Sequence, residues 1–344
     1  MTQATLDSTA SVRDVILREA LNGLVKPAGT QKSLPAWLFY DERGSALFEQ
    51  ITTLPEYYLT RTERSLFATH ADEIIAQMGA PITLAELGAG TATKTGLMLR
   101  AALRSQPEVL YQPIDVSASA LREAEETLGA EIPGVVVAPQ VANYITESFT
   151  IERPAGQKVL ALYIGSSIGN FSPADQVAIL RKLREHLEPG DALLLGVDMA
   201  PMPGAANNNG NGNGHAHNAH KSMATLLAAY DDAAGVTAAF NRNMLTHLNR
   251  ELGTDFDPSR FIHRAVWNAA QSRMEMHLVS DGAQTVHLGG HAIHFADGES
   301  IHTENSYKFT TEAVLTLLAR ADFTPALTLE DPAGYFSVTL ATAS

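Results

Sequence analysis

Between residues 81 and 198 short apolar runs alternate with longer stretches whose apolar residues recur at helical spacing. The runs at 81–85, 109–116, 135–137, 158–164 and 191–198 read as buried strands. The stretches 94–103, 117–128 and 174–187 read as amphipathic helices, the second with Ser117 as a good N-cap. Successive strands separated by helices need crossover connections. The pattern therefore predicts an α/β fold with a mostly parallel sheet covered on both faces.

The flanks break this rhythm. Before residue 81 the pattern predicts a weak amphipathic helix around Val12, Ile16 and Leu21, a turn-rich aromatic section at 33–45, a helix through Ala46, Phe48 and Ile51, and another over 61–75. The aromatic cluster at 54–60 suits either a latch over the core or the wall of an amphipathic pocket. After Met199 an Asn/Gly run at 207–214 predicts a flexible excursion. His215, His217 and His220 follow in a solvated, glycine-rich setting that argues for a loop rather than a metal site, and His291 and His294 point to no third ligand. No metal is expected. Residues 222–250 read as helical, 261–309 as antiparallel strands, and a helix at 315–321 with a strand at 335–341 returns to the sheet.

Composition narrows the function. A length of 344 residues suits one large or two intimate domains, and 45% hydrophobic with 18% charged residues is ordinary for a globular chain. There is no run of 18 apolar residues and no basic, apolar leader at the N-terminus, so neither a membrane span nor a signal peptide is expected. The absence of cysteine excludes disulfides and thiol nucleophiles and is compatible with a cytoplasmic address. A net charge of −14, without any basic block, argues against nucleic acid and for a small-molecule ligand.

The chemistry starts at Gly88-Ala89-Gly90, a turn between strand and helix where backbone can approach a ligand closely. Asp115, ending the next strand, can accept both hydroxyls of a ribose. A dinucleotide site would place a third glycine at position 93, which is Thr. Glu86 before the turn, Lys94 after it, and Asn143-Tyr144 at the end of the third strand suit S-adenosylmethionine: Lys94 and backbone groups for the methionine carboxylate, Asn143 and Tyr144 for adenine. A nicotinamide dinucleotide remains the alternative. Ser166 and Ser167 lack the frame of a nucleophile elbow, so no covalent mechanism is supported.

The blocks FYDERGSALFEQITTLPEYYLTRTE, AELGAGTATKT, QPIDVSASAL, GSSIGNF, YDDAAGVTAAFNRN and TENSYKF, in this order and over nearly the whole chain, resemble the histidine-specific Nα-methyltransferases of ergothioneine biosynthesis. The resemblance implies a Rossmann-like S-adenosylmethionine-dependent methyltransferase domain at 63–198 plus 309–344, and a smaller α+β substrate-binding domain at 1–62 plus 199–308, with histidine between them. It implies Glu86, Gly88, Lys94, Asp115, Asn143 and Tyr144 as cofactor residues. Tyr40, Tyr57, Gly165, Asn170, Tyr230, Met276, Glu304, Asn305 and Ser306 would serve the amino acid. Asn143 departs from the acid usual there. The implied activity is trimethylation of the α-amino group of L-histidine to hercynine by a monomer, with methylation of another amine, such as tryptophan or a prenylated tryptophan, as the alternative. Glu304 and Ser306 together favour an imidazole, because an indole would leave a buried carboxylate poorly paired.

Overall fold

The computed structural model describes residues 11–27, 29–201 and 221–343, so the Asn/Gly run and His215, His217 and His220 lie outside the described residues. Helix α1 (Val12–Leu24) opens with a capping box, in which the Asp14 amide donates to Ser11 Oγ and Asp14 Oδ2 accepts from the Ser11 amide. Strand β1 (Lys32–Ser33), a 3-10 turn (Ala36–Phe39), α2 (Glu42–Thr53) and α3 (Tyr58–Met78) follow. The strand–helix alternation then runs β2 (Ile82–Leu87), α4 (Thr95–Ala102), β3 (Val109–Asp115), α5 (Ala118–Glu131), β4 (Val135–Val137), β5 (Gln140–Val141), β6 (Lys158–Tyr163), α6 (Pro173–Arg184) and β7 (Ala192–Asp198). Beyond it come α7 (Met223–Ala228), α8 (Val236–Leu252), β8 (Phe261–Asn268), β9 (Arg273–Ser280), β10 (Gln284–Leu288), β11 (His291–Phe295), β12 (Ser300–Tyr307), α9 (Thr311–Arg320), β13 (Phe323–Glu330) and β14 (Phe336–Ala343).

The chain divides into two compact units. The larger holds Thr52–Ala229, Asn268–Met274 and the chain from Ser306 on; the smaller holds the chain up to Ile51, Tyr230–Trp267 and Glu275–Asn305. Residues 52–62 and 199–229, which the sequence reading grouped with the smaller domain, thus fall in the larger unit as far as they are described.

In the larger unit the strand order is β13-β14-β7-β6-β2-β3-β4, with β5 also on β3. Pairing is parallel from β7 through β4, while β14 runs antiparallel to β7 and β13 antiparallel to β14. Every residue of β2 and of β7 is buried, as a sheet covered on both faces requires. One face packs Leu193, Leu195 and Val197 against Leu180 and Leu183 of α6 and Leu317 and Leu318 of α9. From β2 the order proceeds one way to β3 and β4 and the other way to β6 and β7. That reversal opens a crevice at the carboxyl ends of the strands, where α/β sheets bind ligands.

Strand β13 is absent from the sequence reading. Pro325 within it removes an amide, which argues against an interior strand. The structure places β13 at the sheet edge, with its register shifting between Pro325 and Leu327.

The smaller unit is built on a sheet of order β1-β12-β9-β8 and a separate β10–β11 hairpin. In β9, Met276, Leu278 and Ser280 are buried while Glu275, His277 and Val279 are half-buried, the period of two expected of a strand. Phe39 stacks on Phe240 of α8 with ring centroids 4.5 Å apart, and Phe261 meets Phe295 edge-on at 5.4 Å. The antiparallel expectation for 261–309 holds for β10 with β11; β1, outside that stretch, joins β12 in parallel.

Candidate active site

The glycine turn lies at the carboxyl end of β2. Gly88 and Gly90 have φ of +69° and +54°, a region that a side chain strongly disfavours. The Gly88 amide is tied to the carbonyl of Ile114 at 2.8 Å. The Gly90 amide donates to Asp115 Oδ2 at 3.0 Å, and the Ser117 amide to Oδ1 at 2.8 Å. Asp115 is thereby held by backbone on both oxygens, each of which keeps acceptor capacity for a diol. Burial raises its pKa, outweighing the amides of Ser117, Gly90 and Val116 that favour the charged form.

Glu86 lies beneath this turn, 2% exposed, and its Oε2 accepts from Thr95 Oγ1 at 2.6 Å and Tyr111 Oη at 2.5 Å. Burial pushes its pKa up to about 7 against these two hydrogen bonds. The carboxylate braces the first residue of α4.

Lys94 pairs with Glu63 of α3, a fully buried residue that the sequence reading passed over. Both oxygens of Glu63 also accept from the Gly165 amide, at 2.8 and 3.0 Å. Room for this carboxylate exists because position 196, in β7, is glycine; a Cβ there would collide with Glu63 Oε1. One glutamate therefore fixes a cofactor candidate, Lys94, and a substrate candidate, Gly165. A glutamate within a helix gives no signal in sequence, since the usual reading is a solvated face.

At the end of the third strand Asn143 forms a local turn, its Oδ1 accepting from the Ile145 amide at 3.1 Å and its own amide donating to Glu147 at 2.7 Å. Tyr144 is half-buried, edge-on to Tyr163 with centroids 5.9 Å apart and hydroxyls 3.3 Å apart; burial pushes its pKa up to about 12. Its hydroxyl would lie 3.5 Å from a Cβ on Gly88, so the adenine candidate and the glycine turn meet. The cofactor candidates thus converge at one crevice of the larger unit, and their donor set fits S-adenosylmethionine: acceptors for a ribose, a cation for a carboxylate, an aromatic face for adenine.

The amino-acid candidates divide between the units. In the larger one, Tyr57 precedes α3 and is 9% exposed, and Asn170 ends a 3-10 turn (Ser167–Asn170) directly after β6. Ser306 is buried, its Oγ accepting from Lys308 Nζ at 2.9 Å. In the smaller one, Tyr40 lies edge-on to Phe48 and Phe240. The carbonyl of Tyr230 accepts from His263 Nε2 at 2.8 Å, and that of Met276, a buried residue, from Thr303 Oγ1 at 3.0 Å. Glu304 is half-buried on β12, and the neighbouring Asn305 keeps a buried Oδ1 with no hydrogen-bond partner among the described residues.

Glu275, His277 and His302, also in the smaller unit, bring potential ligand atoms within 4.8 Å of one another. The two imidazoles are stacked, centroids 4.8 Å apart and planes 22° from parallel. An ion in the plane of one ring lies off the plane of the other, so the arrangement fits a stack better than a chelate.

Residues 16–343 match the profile of the family described as histidine-specific methyltransferase, S-adenosylmethionine-dependent. The histidine N-alpha-methyltransferase of Mycolicibacterium smegmatis is 41% identical over 333 residues, covering 96% of each chain. That of Mycobacterium tuberculosis is 39% identical over 326 residues, covering 94% of each. Ergothioneine biosynthesis protein 1 of Neurospora crassa is 30% identical over 246 residues, which is 70% of this chain and 25% of that protein. With nearly its whole length matched, the chain belongs to the S-adenosylmethionine-dependent histidine-specific methyltransferases.

Proposed function

We propose that this enzyme transfers three methyl groups in succession to the α-amino group of L-histidine, giving hercynine, the entry step of ergothioneine biosynthesis. The observation that carries the reading is the 41% identity to a histidine N-alpha-methyltransferase over 96% of both chains. On this reading the larger unit holds S-adenosylmethionine through Gly88, Lys94, Asp115, Asn143 and Tyr144, with Glu86 bracing the turn. Tyr57, Asn170, Tyr230, Glu304 and Ser306 contact the amino acid, and Tyr40, Met276 and Asn305 shape its surroundings.

S-adenosylmethionine supplies a methyl group on a sulfonium, a leaving group that needs no acid. The protein's part is alignment and exclusion of water. Asn170 and Tyr230 donate to the substrate carboxylate. The Gly165 carbonyl, its peptide plane tied through the Ser166 amide to the Gly196 carbonyl, accepts from the attacking amine in the first two transfers, while the amine still carries an N–H, and keeps its lone pair in line. The amine loses its proton to water or to a nearby base before each transfer. Aromatic rings, Tyr40 and Tyr57 among them, accommodate the trimethylammonium product. No metal enters these steps, and a monomer working in the cytoplasm suffices; among the described residues no helix is long and apolar enough to cross a membrane.

The test is mass spectrometry after incubation with S-adenosylmethionine and an amino-acid mixture. A gain of three methyl groups on histidine alone is expected; methylated tryptophan with untouched histidine would sink the proposal. Glu304→Ala should weaken L-histidine at least tenfold and leave S-adenosylhomocysteine affinity intact, measured by calorimetry. An equal loss of both ligands would put Glu304 outside the amino-acid site.

A further inference from the structure

Beyond β6 and Ile164 come two consecutive residues in the left-handed region, Gly165 with φ of +77° and Ser166 with φ of +59°. Ser166 is buried and carries a Cβ, so its conformation persists only because the surroundings hold it. Strand β7 supplies part of that hold. The Ser166 amide donates to the Gly196 carbonyl at 3.2 Å, and Ser166 Oγ accepts from the Asp198 amide at 2.9 Å. Asp198 is itself fixed: its buried carboxylate pairs with Lys221 and Lys308. Lys221 Nζ also donates to the carbonyls of Met199 at 2.5 Å and Tyr335 at 3.0 Å. The other peptide of Gly165 rests on Glu63, whose two oxygens share the Gly165 amide.

The two sides of this turn are held differently. Asp198 is clamped between buried ammonium groups, whereas Glu63, with a fully buried side chain, pairs with Lys94, whose side chain is 21% exposed. Lys94 Nζ also abuts the turn, since a Cβ on Gly165 would lie 3.1 Å from it. An ammonium carries three donors, and the pair with Glu63 uses one. Lysine is a compact charge on a flexible four-carbon stem. Gripped from the buried side alone it keeps freedom on the exposed side. A second carboxylate, arriving from solvent, brackets the ammonium between two anions and removes that freedom. The ordering passes through Glu63 to the Gly165 amide, and an amino acid binding next meets a turn that is already ordered.

We infer that Glu63 is a positioning residue that couples the two ligands: a cofactor carboxylate on Lys94 strengthens the hold of Gly165 on the substrate amine. The inference rests on the reading of Lys94 as the partner of the methionine carboxylate and of Gly165 as a contact of the amine. Coupling between two binding sites is reciprocal, so the amino acid tightens the cofactor by the same factor. Glu63, Lys94, Gly165 and Gly196 all belong to the larger unit.

The test is calorimetry of L-histidine binding with and without S-adenosylhomocysteine, whose uncharged sulfur leaves the sulfonium out of the comparison. In the parent, S-adenosylhomocysteine should tighten L-histidine by about fivefold or more. Glu63→Gln keeps the volume and an acceptor for the Gly165 amide but no longer attracts Lys94, so the factor should fall below about twofold. A glutamate that only supports the fold would, when replaced, lower both affinities and leave the factor unchanged; that result overturns the inference. A second measurement needs no variant. Methylthioadenosine has the nucleoside but no amino-acid head, so it should change L-histidine affinity in the parent by less than about twofold. Tightening equal to that by S-adenosylhomocysteine overturns the inference. A parent that binds both ligands without coupling removes the inference alone, whereas one that binds S-adenosylhomocysteine but not L-histidine removes the histidine reading and the inference with it.

Discussion

Glu86 makes the glycine turn sensitive to pH. Its pKa is raised from an ordinary 4.5 to about 7, chiefly by burial. Between those values the folded chain keeps a proton that the unfolded chain has released. Stability therefore falls as pH rises through this window, by ~3 kcal/mol in all, and the loss is complete above about pH 7. Glu86→Gln keeps an acceptor for Thr95 and Tyr111 without the titration. Urea unfolding at pH 5 and pH 8 should show the parent losing more stability than the variant between the two; parallel losses would mean that Glu86 does not titrate there. Single residues were legible where their chemistry follows from position in a motif. Asp115 and Lys94 stand beside glycines that announce a ligand. Glu63 carries no such mark, because the space it fills is left by Gly196, far away in sequence.

At the scale of elements, the helices rest on short polar devices that the sequence displays openly. Ser117 caps α5, its Oγ accepting from the Ala120 amide at 3.3 Å, while its amide holds Asp115. Only the first of these bonds uses the side chain. Ser117→Ala should therefore cost about 1 kcal/mol of stability in urea unfolding and leave S-adenosylhomocysteine affinity within about twofold. A large loss of affinity would show that the side chain, not the amide, positions Asp115. The buried strands β2, β3, β6 and β7 were readable because continuous apolar runs punctuated by amphipathic helices have few other interpretations. Strand β13 was not. Beyond the buried Phe323 it alternates exposed and half-buried residues along an edge and contains Pro325, so its local signal argued against the pairing that its neighbour β14 provides.

At the scale of the molecule, the sequence motifs identified the family and the kind of cofactor, but not how the polypeptide divides. Residues 52–62 and the described part of 199–229 group with the sheet because of packing that no local pattern encodes. The smaller unit draws on three separate stretches of chain, and parts of strands β9 and β12 fall on each side of the division. A contiguous reading of domain borders cannot recover that arrangement.

The Asp198 cluster has a consequence for how this chain can be cut. Asp198 and Met199 stand where the polypeptide leaves the sheet, and Lys221, just before α7, is bonded to both. Lys308, on the returning segment, is bonded to the same carboxylate. Three crossings of the backbone are thus riveted at one point, and covalent continuity between 202 and 220 adds little to what the rivet already holds. Two polypeptides, 1–205 and 218–344, produced together should co-purify and bind S-adenosylhomocysteine, whereas Asp198→Ala in the first fragment should release the second. Fragments that never associate, with Asp198 intact, would show that the rivet does not suffice. Fragments that do associate would make this point a ready site for a split reporter whose reassembly is read as methyl transfer.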